Sequence, residues 1–154
     1  MPTSIAEAGY ELSQSAISEQ NERLSELRGR AGTLLAAASL AASFLGGQAI
    51  RAGDISVLGG FAVAAYLLCI AGCIKVLLPH RLVFSFRGST LIEVARQAQA
   101  DLDETLEVAT GWFETFLEDN RIELEKLTRW YTLSCLALGG EIVLWLLGAP
   151  DILG

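Results

Sequence analysis

Long apolar runs alternate with charged segments along this chain. Residues 32–50 contain no charge over 19 positions, and as a helix they would be about 28 Å long, close to the thickness of a hydrocarbon core. Residues 57–78 form a second run, in which the one charge, Lys75, lies near the end. Residues 131–147 form a third run, which contains Glu141. The pattern predicts an all-α integral membrane protein with three transmembrane helices.

The charges around these runs predict the topology. Six residues, 51–56, separate the first two runs and suffice only for a tight turn between antiparallel helices. Ten of the eleven cations fall on one side of the spans, and only Arg51 falls on the other. Because cytoplasmic segments carry the excess of Lys and Arg, we expect residues 1–31 and 79–130 in the cytoplasm and the tail 148–154 outside.

Both cytoplasmic segments show the spacing of amphipathic helices. In the first segment we expect the helix to continue into the first span, with Gly29 and Gly32 as a bend, a close helix contact or glycines tolerated on an exposed face. In the second, the spacing from Leu91 to Tyr131 predicts a long helix or helical hairpin that packs on residues 5–30 or on a neighbouring subunit, with Gly111 as a candidate interruption. The first segment's apolar face comprises Ile17, Gln20, Leu24, Leu27 and Ala31.

Composition supports a membrane protein and excludes several other classes. Hydrophobic residues make up 52% and charged residues 19%, and the mean hydropathy is +0.43. The net charge of −7 argues against a nucleic-acid-binding protein, which would carry a basic surplus. One histidine and three scattered cysteines provide neither a zinc framework nor a disulfide scaffold. No phosphate-binding loop or nucleophile motif occurs, so we expect no cofactor and no enzyme activity.

Glu141 is the sharpest chemical feature, because a carboxylate inside a span is costly and is usually functional. By helix rise it would lie about 15 Å from the start of its span, at about the same depth as Ser43 and Tyr66. We therefore hypothesise that the three side chains form one polar layer inside the bundle or a ring in an oligomer. The alternative is a protonated Glu141 that is hydrogen-bonded to a backbone carbonyl.

Small residues in the spans allow close helix packing, either within one protomer or between copies of the chain. Three thin helices make a poor bundle, so we expect a homo-oligomer. The rings of Trp130, Tyr131 and Trp145 suit the two membrane interfaces. The small residues include Gly46, Gly47, Gly59, Gly60, Gly72, Gly139 and Gly140.

The layout and several short motifs resemble the transmembrane effectors of Pycsar anti-phage systems and, more distantly, the two-span SLATT effectors. A cytoplasmic helix leads into RAGTLL at residues 30–35, and the first two spans are joined by a short hairpin. PHRL follows at residues 79–82, and LEKLTRWYTLSCLAL at residues 124–138 enters the last span.

The resemblance implies a bacterial inner-membrane effector that cyclic CMP or cyclic UMP activates during infection. The spans would then impair the membrane, so that the cell dies by abortive infection before phage release. The acidic stretch 101–118 would repel a phosphate, which makes Arg81, Arg87 and Arg96 the candidate nucleotide-binding residues. Two alternatives stay open: a structural protein whose acidic helix recruits a partner, and a small transporter or proton-pathway subunit built around Glu141.

Overall fold

The computed structural model describes residues 4–47, 57–80, 82 and 88–148, in which helices predominate and no strand occurs. The first helix, α1, comprises Ile5–Ala41 and is followed by a π-helix at Ala42–Gly46. Then come α2 (Val57–Leu77), α3 (Gly88–Ala98) and α4 (Leu102–Gly148). The prediction of an all-helical protein is confirmed for these ranges.

Local side-chain hydrogen bonds fix the helix starts. The Ser4 hydroxyl accepts a hydrogen bond of 3.2 Å from the amide of Glu7 at the start of α1. Before α4, Asp101 and Glu104 cap each other's amides, at 2.9 and 3.3 Å, in the reciprocal arrangement of a capping box. Between α3 and α4, Gln99 has a left-handed backbone with φ of 52°. This turn divides the helical pattern that the sequence predicts from Leu91 to Tyr131.

Three glycines that the sequence marks as candidate bends, close contacts or interruptions lie within continuous helices. Gly111 does not interrupt α4, which is continuous from Leu102 to Gly148, so that prediction is wrong. Gly29 and Gly32 lie within the continuous α1, and a side chain built at either position would meet no atom within 4 Å. The close contact considered for them is therefore absent, and they are glycines tolerated on an open helix face.

The chain forms two compact units, each of which contains part of α1 and part of α4. The first unit comprises Met1–Ser25 and His80–Glu125, and the second comprises Glu26–Pro79 and Lys126–Gly154. The two units also differ in charge: fourteen acidic and five basic residues give the first a net charge of −9, whereas four acidic and six basic residues give the second a net charge of +2.

In the first unit, α1 and α4 pack side by side and run parallel. Ser4 donates a hydrogen bond of 2.8 Å to Asp103, and further along the rings of Tyr10 and Phe113 lie 5.6 Å apart. The apolar face predicted from helical spacing is the one that is buried. Its buried members are Ile17 and Leu24 on α1 and Ala109, Phe113 and Asn120 on α4, and Ser13, which is not among the predicted residues, is buried beside them. The prediction that the helical segment after Leu91 packs on residues 5–30 is confirmed for the part of α4 in this unit.

In the second unit, α2 runs antiparallel to both α1 and α4. The guanidinium of Arg28, on α1, donates to the carbonyl of Leu78 just after α2, whereas Ala38, later on α1, packs with Cys69 and Cys73 earlier on α2. In the π-helix that follows α1, Gly46 lies next to Trp145 of α4. The three helices therefore alternate in direction, and small side chains fill their common core.

Two helices are long and apolar enough to cross a membrane, Val57–Leu77 and Leu102–Gly148. Only 28% and 17% of their most apolar stretches are buried, whereas the core helix of a soluble protein would be mostly buried. Their apolar side chains instead point outward, including Phe61, Leu67, Leu136 and Leu147, each about 60% exposed or more.

The first predicted span, residues 32–50, is not among these helices. The charge-free part of α1 runs only from Ala31 to Ala41, because Arg28 and Arg30 precede it. The π-helix Ala42–Gly46 continues it, and residues 48–50 lie outside the described residues, as does the predicted hairpin 51–56. The three-span prediction is thus supported for two helices only.

The helices α2 and α4 approach each other closely at Gly72 of α2. A Cβ atom placed there would overlap the Ser134 hydroxyl and lie 3.2 Å from the carbonyl oxygen of Trp130. Ser134 is itself buried and donates a hydrogen bond of 2.9 Å to that carbonyl. A side chain at position 72 therefore has to displace the backbone of α4, whereas Gly60 on the same helix has open space around it.

We expect Gly72→Ala to destabilise the protein by about 1–3 kcal/mol, the usual cost of forcing a methyl group into a close-packed contact. The matched control is Gly60→Ala, which adds the same methyl group where no atom lies within 4 Å. Thermal unfolding of the purified proteins in detergent micelles measures both. Equal unfolding temperatures for the two variants would show that α2 and α4 do not meet at Gly72.

Candidate functional site

The most unusual chemical group in the structure is the carboxyl of Glu141 in the second unit. Glu141 is fully buried, and neither of its oxygens has a hydrogen-bond partner among the described residues. One turn further along α4, the indole of Trp145 is 7% exposed, and its Nε1 is also without a partner there. Trp145 interacts electrostatically with the carboxyl, but the pair does not reach hydrogen-bond geometry.

The pattern of α4 places both groups on its inward face. Ser134, Ala137, Glu141 and Trp145 follow each other at intervals of three and four residues, and all four are buried. The ring of Trp145 lies over the π-helix, 3.5 Å from where a Cβ of Gly46 would be. The indole of Trp145 thus fills the interior of the unit, beside a residue that has no side chain. Its position at a membrane interface stays a prediction.

The predicted polar layer of Ser43, Tyr66 and Glu141 is not joined by hydrogen bonds. Ser43 is exposed in the π-helix, and its hydroxyl donates a bond of 2.8 Å to the carbonyl of Ser39 in its own chain segment. Tyr66 is half-buried and packs against the small-residue core that contains Cys69. Of the three, only Glu141 is fully buried with no hydrogen-bond partner among the described residues.

One cysteine of α2, Cys69, lies within electrostatic range of Glu141. Cys69 and Cys73 are fully buried on one face of α2, and Cys69 interacts electrostatically with Cys73, Cys135 and Glu141. All three cysteines are free. The described ranges contain no group of three or more His, Cys, Asp or Glu side chains that could hold a metal ion. The groups that the structure places near the carboxyl are thus a thiol and an indole.

This arrangement determines what Glu141 can do chemically. An unpaired polar group inside a protein costs about 1–3 kcal/mol, and more when it is charged, so a carboxyl is retained there at the expense of stability. It can bind a proton, and it can accept a hydrogen bond if Trp145 or another donor moves toward it.

Of the three predicted nucleotide-binding cations, only one lies among the described residues. Arg96 is exposed on α3, whereas Arg81 and Arg87 lie outside the described residues. A different pair of cations borders a cavity in the second unit: Lys126 and Arg129 line it together with Trp130 and Leu133. Sequence reasoning counted this pair for topology but assigned it no site, because its spacing matches any cationic helix end.

Comparison with protein-family models, with curated proteins and with solved structures finds no match for this chain. Its function therefore has to be argued from the residues and their arrangement.

We expect Glu141→Met to leave the fold intact and to stabilise it by about 1–3 kcal/mol, since the change removes an unpaired buried carboxyl and keeps a similar volume. The control is Glu114→Met, which removes an exposed carboxylate from the same helix and should change stability little. Thermal unfolding in detergent compares them. A loss of stability at position 141 larger than at position 114 would show that the carboxyl has a stabilising partner.

Proposed function

We propose that the chain is a three-span protein of a bacterial inner membrane. The supporting observation is the outward-facing apolar surface of α2 and α4, since large exposed apolar patches mark surfaces that contact a membrane or another protein. The alternating direction of α1, α2 and α4 in the second unit fits three successive crossings. In this proposal residues 32–50 complete the first span, and the N-terminus is cytoplasmic.

We further propose that the protein is a membrane-impairing effector of the Pycsar type. The resemblance in RAGTLL, PHRL and the entry to the last span supports this proposal, as does the unpaired carboxyl of Glu141 inside a bundle of only three helices. A cyclic pyrimidine nucleotide would activate it by binding the open state more tightly than the closed state, since a ligand shifts an equilibrium only through differential affinity. Arg81, Arg87 and Arg96 are the residues proposed to hold its phosphate, and the assembly is proposed to be a homo-oligomer.

The membrane-impairing activity is tested with the purified protein in dye-loaded liposomes. Addition of cyclic CMP or cyclic UMP is expected to release the dye, whereas cyclic AMP serves as the nucleotide control. The triple variant in which Arg81, Arg87 and Arg96 are each replaced by Gln should lose the response while keeping its helical content. Absence of release with both pyrimidine nucleotides, from protein shown to be folded and inserted, would refute the effector function.

The topology is tested by accessibility in a background in which Cys69, Cys73 and Cys135 are replaced by Ala. A membrane-impermeant thiol reagent added to intact spheroplasts should label a cysteine introduced by Gly53→Cys and spare one introduced by Asp101→Cys. Disruption of the membrane should make the second position reactive. Labelling of position 101 in intact spheroplasts would refute a cytoplasmic location for residues 79–130.

A second candidate function is a proton-pathway subunit, and the buried, unpaired carboxyl of Glu141 favours it. Buried ionisable groups in spans commonly serve as proton relays. The two functions differ in what crosses the membrane. Proton flux into liposomes without dye release, lost in Glu141→Gln, would favour the pathway, whereas nucleotide-dependent dye release would favour the effector.

A further inference from the structure

A shallow cavity of about 200 Å³ lies on the outer surface of α4 in the second unit. Four residues line it: Lys126, Arg129, Trp130 and Leu133. Their spacing of three, four and seven residues places them on one face of the helix. Both cations are exposed, and Trp130 and Leu133 are each 39% exposed, so all four side chains can contact a molecule that approaches from outside.

The lining changes from charged to apolar along the helix axis. Lys126 and Leu133 are seven residues apart, about 10 Å by helix rise. The indole of Trp130 lies between the cations and Leu133, and Leu136, 69% exposed, continues the apolar surface beyond the cavity. Phosphate, glycerol ester and acyl chain follow in the same order, over a similar length, in a phospholipid.

The cavity lies at the charged end of the second unit. Trp130 is next to Gly72, close to the end of α2, and Arg28 contacts the carbonyl of Leu78 just beyond that end. Among the described residues of this unit, every charged side chain other than Glu141 belongs to this end. These residues are Glu26, Arg28, Arg30, Lys75, Lys126 and Arg129.

We propose that this cavity binds the head group of an anionic phospholipid, with the phosphate held by Lys126 and Arg129 and the acyl chain along Leu133. The proposal rests on the membrane insertion proposed above. Two cations favour a head group with net negative charge over a zwitterionic one, whose own ammonium group would compete for the phosphate. The open apolar side continues into the exposed surface of α4, as a lipid requires, whereas a soluble phosphate ligand would gain nothing from Leu133.

The test uses the full chain purified in detergent and titrated with phosphatidylglycerol or phosphatidylcholine of identical acyl chains, with bound lipid counted by native mass spectrometry. We expect the wild-type protein to prefer phosphatidylglycerol by about thirtyfold, the effect expected of two cations at an anionic surface. The double variant Lys126→Gln/Arg129→Gln should lose this preference, and the conservative Lys126→Arg/Arg129→Lys should retain it.

The matched control is Arg23→Gln/Arg121→Gln, which removes one exposed cation from α1 and one from α4. Neither residue lines the cavity, and they form ion pairs with Glu19 and Glu125. It should keep the preference for phosphatidylglycerol. Equal binding of the two lipids by the wild-type protein, or an equal loss in the control, would overturn the proposal. So would displacement of the lipid by millimolar inorganic phosphate or cyclic CMP, which would identify a soluble-anion site.

Membrane insertion is measured separately on the same proteins, by their resistance to carbonate extraction from membranes. A protein that is extracted by carbonate would refute the span proposal, whereas an inserted protein without lipid preference would refute the lipid site alone. The two failures can therefore be told apart.

Discussion

The close contact of three helices through small side chains is the constraint on which the second unit depends. Ala38, Cys69, Cys73 and Ala137 form its core, and Gly72 lets α2 approach the backbone of α4. In a hydrocarbon solvent no hydrophobic force drives helices together, so association depends on van der Waals contact at short distance. Large apolar residues are correspondingly on the outside, where Phe61, Leu136 and Leu147 are exposed. The arrangement inverts the one expected of a soluble helical domain.

The two units divide the charge of the chain between them. The first unit carries a net charge of −9 and the second +2, although the same two helices contribute to both. An acidic surface repels phosphate groups and attracts cations or basic partners. The first unit therefore offers an anion few cations, and the described cations of the second unit lie at the end where α2 finishes.

Helical spacing is enough to predict the buried face of α1 and α4 in the first unit. Ile17, Leu24, Phe113 and Asn120 occupy the predicted face and are buried, because a period of 3.6 residues leaves no other face apolar. Glycine was a poorer guide. Gly72 lies in a tight contact and Gly111 is simply part of a helix, a difference set by the neighbouring helix and absent from the local sequence.

The sequence predicts one residue of the candidate site, Glu141, but not the side chains that surround it. A carboxylate in an apolar run is visible in the sequence, which is how Glu141 was found. That Trp145 shares its buried environment depends on the rotation of α4 against the other helices, and tryptophan near the end of a span otherwise indicates an interface. Ser43 could not be excluded from the layer by depth alone, because depth does not specify the side of the helix.

The π-helix after α1 has a consequence for how this part of the chain can vary. A π-turn holds one residue more than an α-turn, so every position after it is rotated by about 100° relative to an uninterrupted helix. Gly46 comes to lie beneath the ring of Trp145 in this rotated frame. A return to ordinary α-winding at the same length would turn a bulkier neighbour toward the indole, whereas the same return with loss of one residue between Ala42 and Leu45 would leave Gly46 in place. The winding of this short segment, as well as its residue types, therefore determines which residue lies beneath the ring.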